Sequence, residues 1–357
     1  MDDSILNDAL DRVGDNIDQE VANFLESFQN EVIKKHFPQG VIGGSGYTTS
    51  AGVKPDQIAV KMHSQQYVYK GTSFFYPAQN KKFLHYTRFS NFVEILKSRS
   101  IRLYDFNNFN DPSEFFFSEL IKSEVTNDLI PNDKGKLFAF SFNESKEEDF
   151  NMWRLYGDDG NGVAFEFEFL GSEREQDTWG NHFLSEVKYD ESEGELINKF
   201  ILDCKEFFER NNYARIPSIK SFILPILGSI KRGIYQDEKE IRLLSVANDF
   251  FYNGLDSLPY YNYGLSREGS LVKYCSIPIS NFKDYEALIH ANKTNVDMRR
   301  SAYLPHVSLT KIIIGYRADD SAFEKKMKMI RDLLSHYSYI NWIQIIPSEF
   351  KRYFNNS

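Results

Sequence analysis

The chain has 357 residues, 41% of them apolar and 26% charged, with a formal net charge of −9. This describes a globular protein of one large or two ordinary domains, at ~150 residues per domain, and excludes a collagenous or wholly disordered chain. The acidic balance argues against a surface that grips nucleic acid all over, and Cys204 and Cys275 are too few for a disulfide framework or a cysteine-rich zinc site.

Residues 4–35 carry a helical period, with Leu6, Leu10, Val13, Ile17, Val21, Phe24, Phe28 and Val32 three or four apart. Residues 1–37 are therefore expected as an acidic amphipathic helix. Its nine carboxylates and three cations hold −6 of the chain's −9. The apolar stripe must be covered, either by the chain's own core or by a second copy or partner helix. The acidic N-terminus reads as neither a secretory signal nor a transit peptide, and no run of ~18 apolar residues predicts a membrane span, so a cytoplasmic protein is expected.

Residues 38–66 include Gly43-Gly44-Ser45-Gly46 and have linker composition, without the Gly-Lys-Ser/Thr ending of a phosphate-binding loop. Residues 67–357 are expected to form the main α+β domain. Strands are predicted at 83–87, 101–104, 137–142, 162–169, 241–246, 311–315 and 342–346. Helices are predicted at 90–96, capped by Ser90, and at 193–211, 216–231 and 320–338.

Four segments have more polar chemistry than packing requires. Leu84-His85-Tyr86-Thr87-Arg88 ends a strand. Asn110-Asp111-Pro112-Ser113-Glu114 is turn chemistry. Ser141 interrupts the aromatic strand Phe138–Phe142, and Trp153 and Tyr156 follow as a helical pair. Taken singly, His85 reads as a hydrogen-bonded structural histidine, Asn110-Asp111 as a rigid turn and Trp153 with Tyr156 as core. Glu238, Glu240 and Arg242 alternate onto one strand face, where two carboxylates repel unless a cation or ligand compensates. That makes them the best candidates for acid/base work or for stabilising a cationic sugar, against a solvated strand edge as the plain alternative.

In this order, His85-Tyr86-Thr87-Arg88, Phe109–Glu114, Phe140-Ser141, Trp153-x-x-Tyr156, Glu238-x-Glu240-x-Arg242 and Ile312–Gly315 resemble the prokaryotic family called domain of unknown function 2971, over residues 83–320. More remotely, the order resembles that of ADP-ribosyltransferases. That resemblance implies a mixed, largely antiparallel split sheet clamping NAD as substrate, with no metal. It implies His85, Tyr86, Arg88, Ser141, Trp153 and Tyr156 on NAD, Glu240 as catalyst and Glu238 orienting the acceptor. Asn110, Asp111, Glu114 and Arg242 are further site candidates. The implied activity is an NAD-consuming effector in a toxin or phage-defence setting, with a nucleic acid or protein as acceptor. The alternatives are a metal-independent nuclease or nucleotide-binding sensor, and a non-enzymatic module assembled through its N-terminal helix.

Overall fold

The computed structural model describes residues 19–48, 57–62, 66–109, 134–169, 176, 179, 182–189, 192–212, 220–246, 261–265, 269–281, 305, 307–339 and 343–354. The N-terminal helix is present as α1, residues 19–36, with one π-helical turn at Gln29–Ile33. Its outer half, with Leu6, Leu10, Val13 and Ile17, lies outside the described residues. Val21, Phe24, Phe28 and Val32 are buried in the protein's own core. Phe24 and Phe28 lie 5.2–5.4 Å from the rings of Phe207 and Phe208. Glu31 pairs with Arg210 at 2.6 Å and His36 with Asp203 at 2.6 Å. Of the two ways to cover the stripe, the described half takes the internal one.

The stretch expected as a linker contains β1 (Ile42–Thr48) and β2 (Gln57–Met62), paired antiparallel. Alternation at Ile58 and Val60, both buried in the same core as α1, outweighs the glycine-rich composition. The entry is tied by Gln29, whose amide donates to the Gly40 carbonyl and accepts from the Ile42 N–H at 2.9 Å. A Cβ on Gly40 would meet Ile33 at 2.6 Å, so the chain needs glycine there.

The main sheet is ten-stranded and mixed, which makes the fold α+β. Its strands are β3 (Lys82–Thr87), β4 (Ser100–Asp105), β5 (Leu137–Glu144), β6 (Val163–Phe169), β7 (His182–Glu186), β8 (Glu240–Val246), β9 (Asn262–Leu265), β10 (Leu271–Pro278), β11 (Val307–Ile314) and β12 (Gln344–Pro347). The order is β12-β11-β6-β3-β5-β4-β10-β9, with β8 on the free edge of β5 and β7 on β8. All pairs are antiparallel except β11–β12. Strands β7, β9 and β10 carry no predicted counterpart, being short or only weakly alternating.

Between β3 and β4 runs α2 (Phe89–Ser98), which buries Phe92 and Leu96. It starts one residue before Ser90, so the cap position falls on Arg88, and no side chain caps it. α3 (Phe150–Leu155) is capped by Asp149, which accepts from Asn151 N at 2.7 Å and Met152 N at 3.2 Å. α4 (Ser192–Arg210) and α5 (Lys220–Leu227) contribute to the core that holds α1. α6 (Asp320–His336), capped by Asp319, lies beside β11, and α7 (Lys351–Phe354) follows β12. Among the described residues, no helix is long and apolar enough to cross a membrane.

Candidate functional site

The sheet splits along one edge of β5. Near the C-terminal end of β5, Asn143 and Glu144 pair with Leu84 and Phe83 of β3, while near its start Phe138 and Ala139 pair with Asp105 and Tyr104 of β4. Between these two seams β5 has no strand partner on that side, because α2 carries the chain from β3 to β4. His85 reaches across the gap: its Nδ1 is 2.9 Å from the Ser141 carbonyl oxygen.

Paired residues in a sheet share a face, and successive residues alternate. Leu84 pairs with Asn143, Asn143 with Glu240, and Ser141 with Arg242. These side chains, with Tyr86, therefore lie on one face. That face carries two separate apolar clusters. One holds α1, α4 and α5 side chains against Ala139 and Leu244; the other gathers Leu84, Tyr86, Trp153, Ala164 and Tyr316. Glu238, Glu240, Arg242 and Ser141 occupy the polar seam between them.

The seam is a connected, buried ionic network. Arg242 is 1% exposed and donates from Nε to Glu240 Oε1 at 2.6 Å and from Nη2 to Oε2 at 3.0 Å. Its Nη1 donates to the Gly228 carbonyl at 2.9 Å. The Ser141 hydroxyl donates to Glu240 Oε1. Lys231, 4% exposed, bridges the carboxylates, 2.6 Å from Glu238 Oε2 and 3.3 Å from Glu240 Oε2. Tyr156 donates to Glu238 Oε1 at 2.9 Å, and Glu240 N donates to Tyr189 Oη at 3.1 Å. Among the described residues, two carboxylates and two cations balance each other, which lowers the cost of keeping this charge out of water.

Burial alone would raise the Glu240 carboxyl. The Arg242 and Lys231 charges, with the hydrogen bonds from Arg242 and Ser141, outweigh it and hold the group at about 2. Glu240 accepts from four donors, two on each oxygen, which fills its lone-pair capacity. Glu238 accepts from two, Tyr156 and Lys231, and keeps acceptor capacity. Tyr156 is 42% exposed, so Glu238 and Tyr156 form the outer end of the network and Glu240 its inner end. Burial, then the Glu238 charge, pushes the Tyr156 hydroxyl up, keeping it a donor.

The structure thus brings Ser141, Tyr156, Glu238, Glu240 and Arg242 together on one face. His85 is linked to them only through the Ser141 backbone. Its ring lies on the opposite face, 4.3 Å from the Phe140 ring and 6.4 Å from that of Phe165, and burial lowers it to about 4. Tyr86 and Trp153 are core: the Tyr86 hydroxyl accepts from Asp149 N at 2.9 Å, and the Trp153 indole donates to Glu148 at 2.8 Å. Arg88 is exposed and sits 3.7 Å from Asp158. Asn110, Asp111 and Glu114 lie outside the described residues. The segment just before them ends at Phe109, whose ring is 5.5 Å from the Arg242 guanidinium.

Lys231, Tyr189 and Asn143, whose amide donates to the Glu238 carbonyl, are absent from the sequence-based candidates. The signal for Lys231 was indirect: two carboxylates on one strand face demand a cation, and Lys231 directly follows the apolar run 222–230.

A family model described as "Protein of unknown function (DUF2971)" matches residues 152–243. That supports assignment to the family and takes in Trp153, Tyr156, Lys231, Glu238, Glu240 and Arg242, but not His85 or Ser141. No curated protein and no solved structure matches the chain, and none of these comparisons supports the ADP-ribosyltransferase resemblance.

Proposed function

We propose that the chain is an ADP-ribosyltransferase-like enzyme that breaks the nicotinamide–ribose bond of NAD. The observation that supports this reading is the Tyr156–Glu238–Lys231–Glu240 chain: an exposed aromatic ring beside a carboxylate with unused acceptor capacity, backed by a saturated ionic network. An exposed ring suits a cationic nicotinamide, and a fixed carboxylate suits the positive sugar that forms as nicotinamide leaves. The C1′–N bond breaks with its electron pair going to the ring nitrogen, cancelling the pyridinium charge. A water or acceptor hydroxyl bonds to C1′ and gives its proton to Glu238. In this reading Glu238 faces the reacting sugar, and Glu240, with no lone pair to spare, positions it through Lys231.

The test is nicotinamide release from NAD by the purified chain, with and without RNA, DNA or cell protein. Wild-type release, cut at least 100-fold in Glu238→Gln and at least tenfold in Tyr156→Phe, is the expected result. No release from wild type under any of these conditions overturns the proposal.

A second reading is favoured by the saturation of Glu240: a neutral polar latch that only fixes the sheet to α5. It predicts that Glu238→Gln leaves every activity of the chain unchanged, while Glu240→Gln lowers thermal stability.

A further inference from the structure

The polar face does not end at Arg242. The Arg242 guanidinium lies 5.6 Å from the Phe106 ring and 5.5 Å from that of Phe109. Upstream of Phe106, Tyr104 and Arg102 stand two residues apart on β4, and Tyr104 pairs with Ala139, which shares a face with Ser141 and Arg242, so both project to that face. Tyr104 pairs with Tyr274 of β10, their rings 6.0 Å apart, and the Arg102 guanidinium is 4.8 Å from the Tyr274 ring. Arg242, Phe106, Tyr104, Tyr274 and Arg102 therefore form one row of three rings with a cation at each end. It is buried at the carboxylate end and opens outward, with Tyr104 37% exposed and Tyr274 and Arg102 half-buried.

Two features make the outer part a binding surface rather than a core edge. The reverse face of the same strands, with Ile101, Leu103, Cys275 and Ile277, is fully packed, so the rings stand on a rigid base. Arg102 has no carboxylate within ion-pair distance among the described residues, although the chain as a whole is acidic. An arginine with no carboxylate beside it among the described residues, laid against the Tyr274 ring, is matched by a ligand that supplies anions and flat rings together.

We infer that this face binds single-stranded nucleic acid, its bases on Tyr104 and Tyr274 and a backbone phosphate on Arg102, with the strand directed toward the Glu238–Glu240 seam. Unpaired bases offer π-faces that a duplex keeps stacked inside itself, and base–ring stacking tolerates any sequence. A phosphate replaces the missing carboxylate on Arg102. The binding needs no NAD and goes beyond the proposed catalytic reading.

The test is fluorescence anisotropy of a labelled mixed-sequence 12-nucleotide RNA and its DNA counterpart with the full chain, NAD absent. Binding at low salt is expected, weakened at least tenfold in the Tyr104→Ala/Tyr274→Ala double variant and retained in Tyr104→Trp. Arg102→Gln lowers the slope of log affinity against log salt by about one. The corresponding duplex binds at least tenfold more weakly, and Tyr353→Ala on α7 binds as wild type. No binding by wild type, equal binding of the duplex, or unchanged binding by the double variant and by Arg102→Gln overturns the inference. Binding without nicotinamide release counts against the catalytic proposal alone; nicotinamide release without binding counts against this one alone.

Discussion

Lys231 carries the most consequence of any single side chain. It holds Glu238 and Glu240 together from a position 4% exposed. Lys231→Met leaves the two carboxylates facing each other without the cation that bridges them, and breaking a buried ionic set this way costs about 3–5 kcal/mol. The loss is expected to shrink at acidic pH, because protonating one carboxyl removes the repulsion. Urea unfolding of wild type and variant at neutral and acidic pH measures it; an equal loss at both would show that Lys231 is not the counter-ion. Gly162 is set by close approach: a Cβ there would sit 2.2 Å from the Thr87 carbonyl oxygen. Gly162→Ala must push β3 from the turn after α3, and a drop of several degrees in melting temperature is expected by calorimetry.

Among the elements, α1 has the largest effect on the reading of the chain. Its described half is part of the core, with Phe28 fully buried against Phe207 and Phe208. Phe28→Ala is expected to cost about 3–5 kcal/mol in chemical unfolding, the range for a buried phenylalanine. A loss below 1 kcal/mol would mean that the helix docks only loosely. The hairpin β1–β2 depends on the same core through Ile58 and Val60, so the variant is expected to expose it to proteolysis as well. α2 acts at the other end: by taking the chain from β3 over to β4, it leaves the middle of β5 without a strand partner on that edge, and the His85 ring closes the gap.

For the whole molecule, the buried titratable groups set a two-stage acid response. His85 and His182 are lowered by burial to about 4 and about 3, so the unfolded chain binds more protons than the folded one below the ordinary histidine value of 6.5. Their contribution is full above pH 6.5 and is lost as the pH falls from there toward 4. Glu240 and Glu166 stand at about 2, each because hydrogen bonds and cations outweigh its burial. Their contribution is present above the ordinary carboxyl value of 4.5 and is lost as the pH falls from there toward 2. Urea midpoints measured from pH 8 to pH 3 are expected to fall slowly at first, then steeply below 4.5, and His85→Gln should flatten the first stage. A midpoint constant down to pH 4 would contradict the neutral state of half-buried His85 and buried His182.

Much of the architecture is legible in the residues themselves. The period of three and four over α1, the alternation of Val163, Phe165, Phe167 and Phe169, and the capped helix α6 are local patterns, and local patterns decide whether a segment is helix or strand. The same holds for Glu240 and Arg242, which share a face of β8 as their spacing predicts; Glu238 instead ends a 3-10 turn ahead of the strand and joins them across Lys239, whose backbone is left-handed, so its place did not follow from spacing. Composition misled where a sparse pattern was stronger, as in the glycine-rich β1 with its buried partner β2. Partners across the chain were not legible. That Lys231 bridges the two glutamates, that Ser141 serves Glu240 while its carbonyl meets His85, and that Tyr156 rather than Trp153 stands at the surface all depend on strand register and on which face each helix covers. Ser141 and Glu240, 99 positions apart, and Tyr156 and Glu238, 82 apart, meet only because the sheet closes around them, while Lys231, 7 and 9 positions from its glutamates, reaches them through a turn that no periodic pattern specifies. The chain by itself determined which side chains carry charge and which segments alternate as strands; the tertiary structure decided which of them meet, because register and the turns between elements are set by packing across the whole sheet.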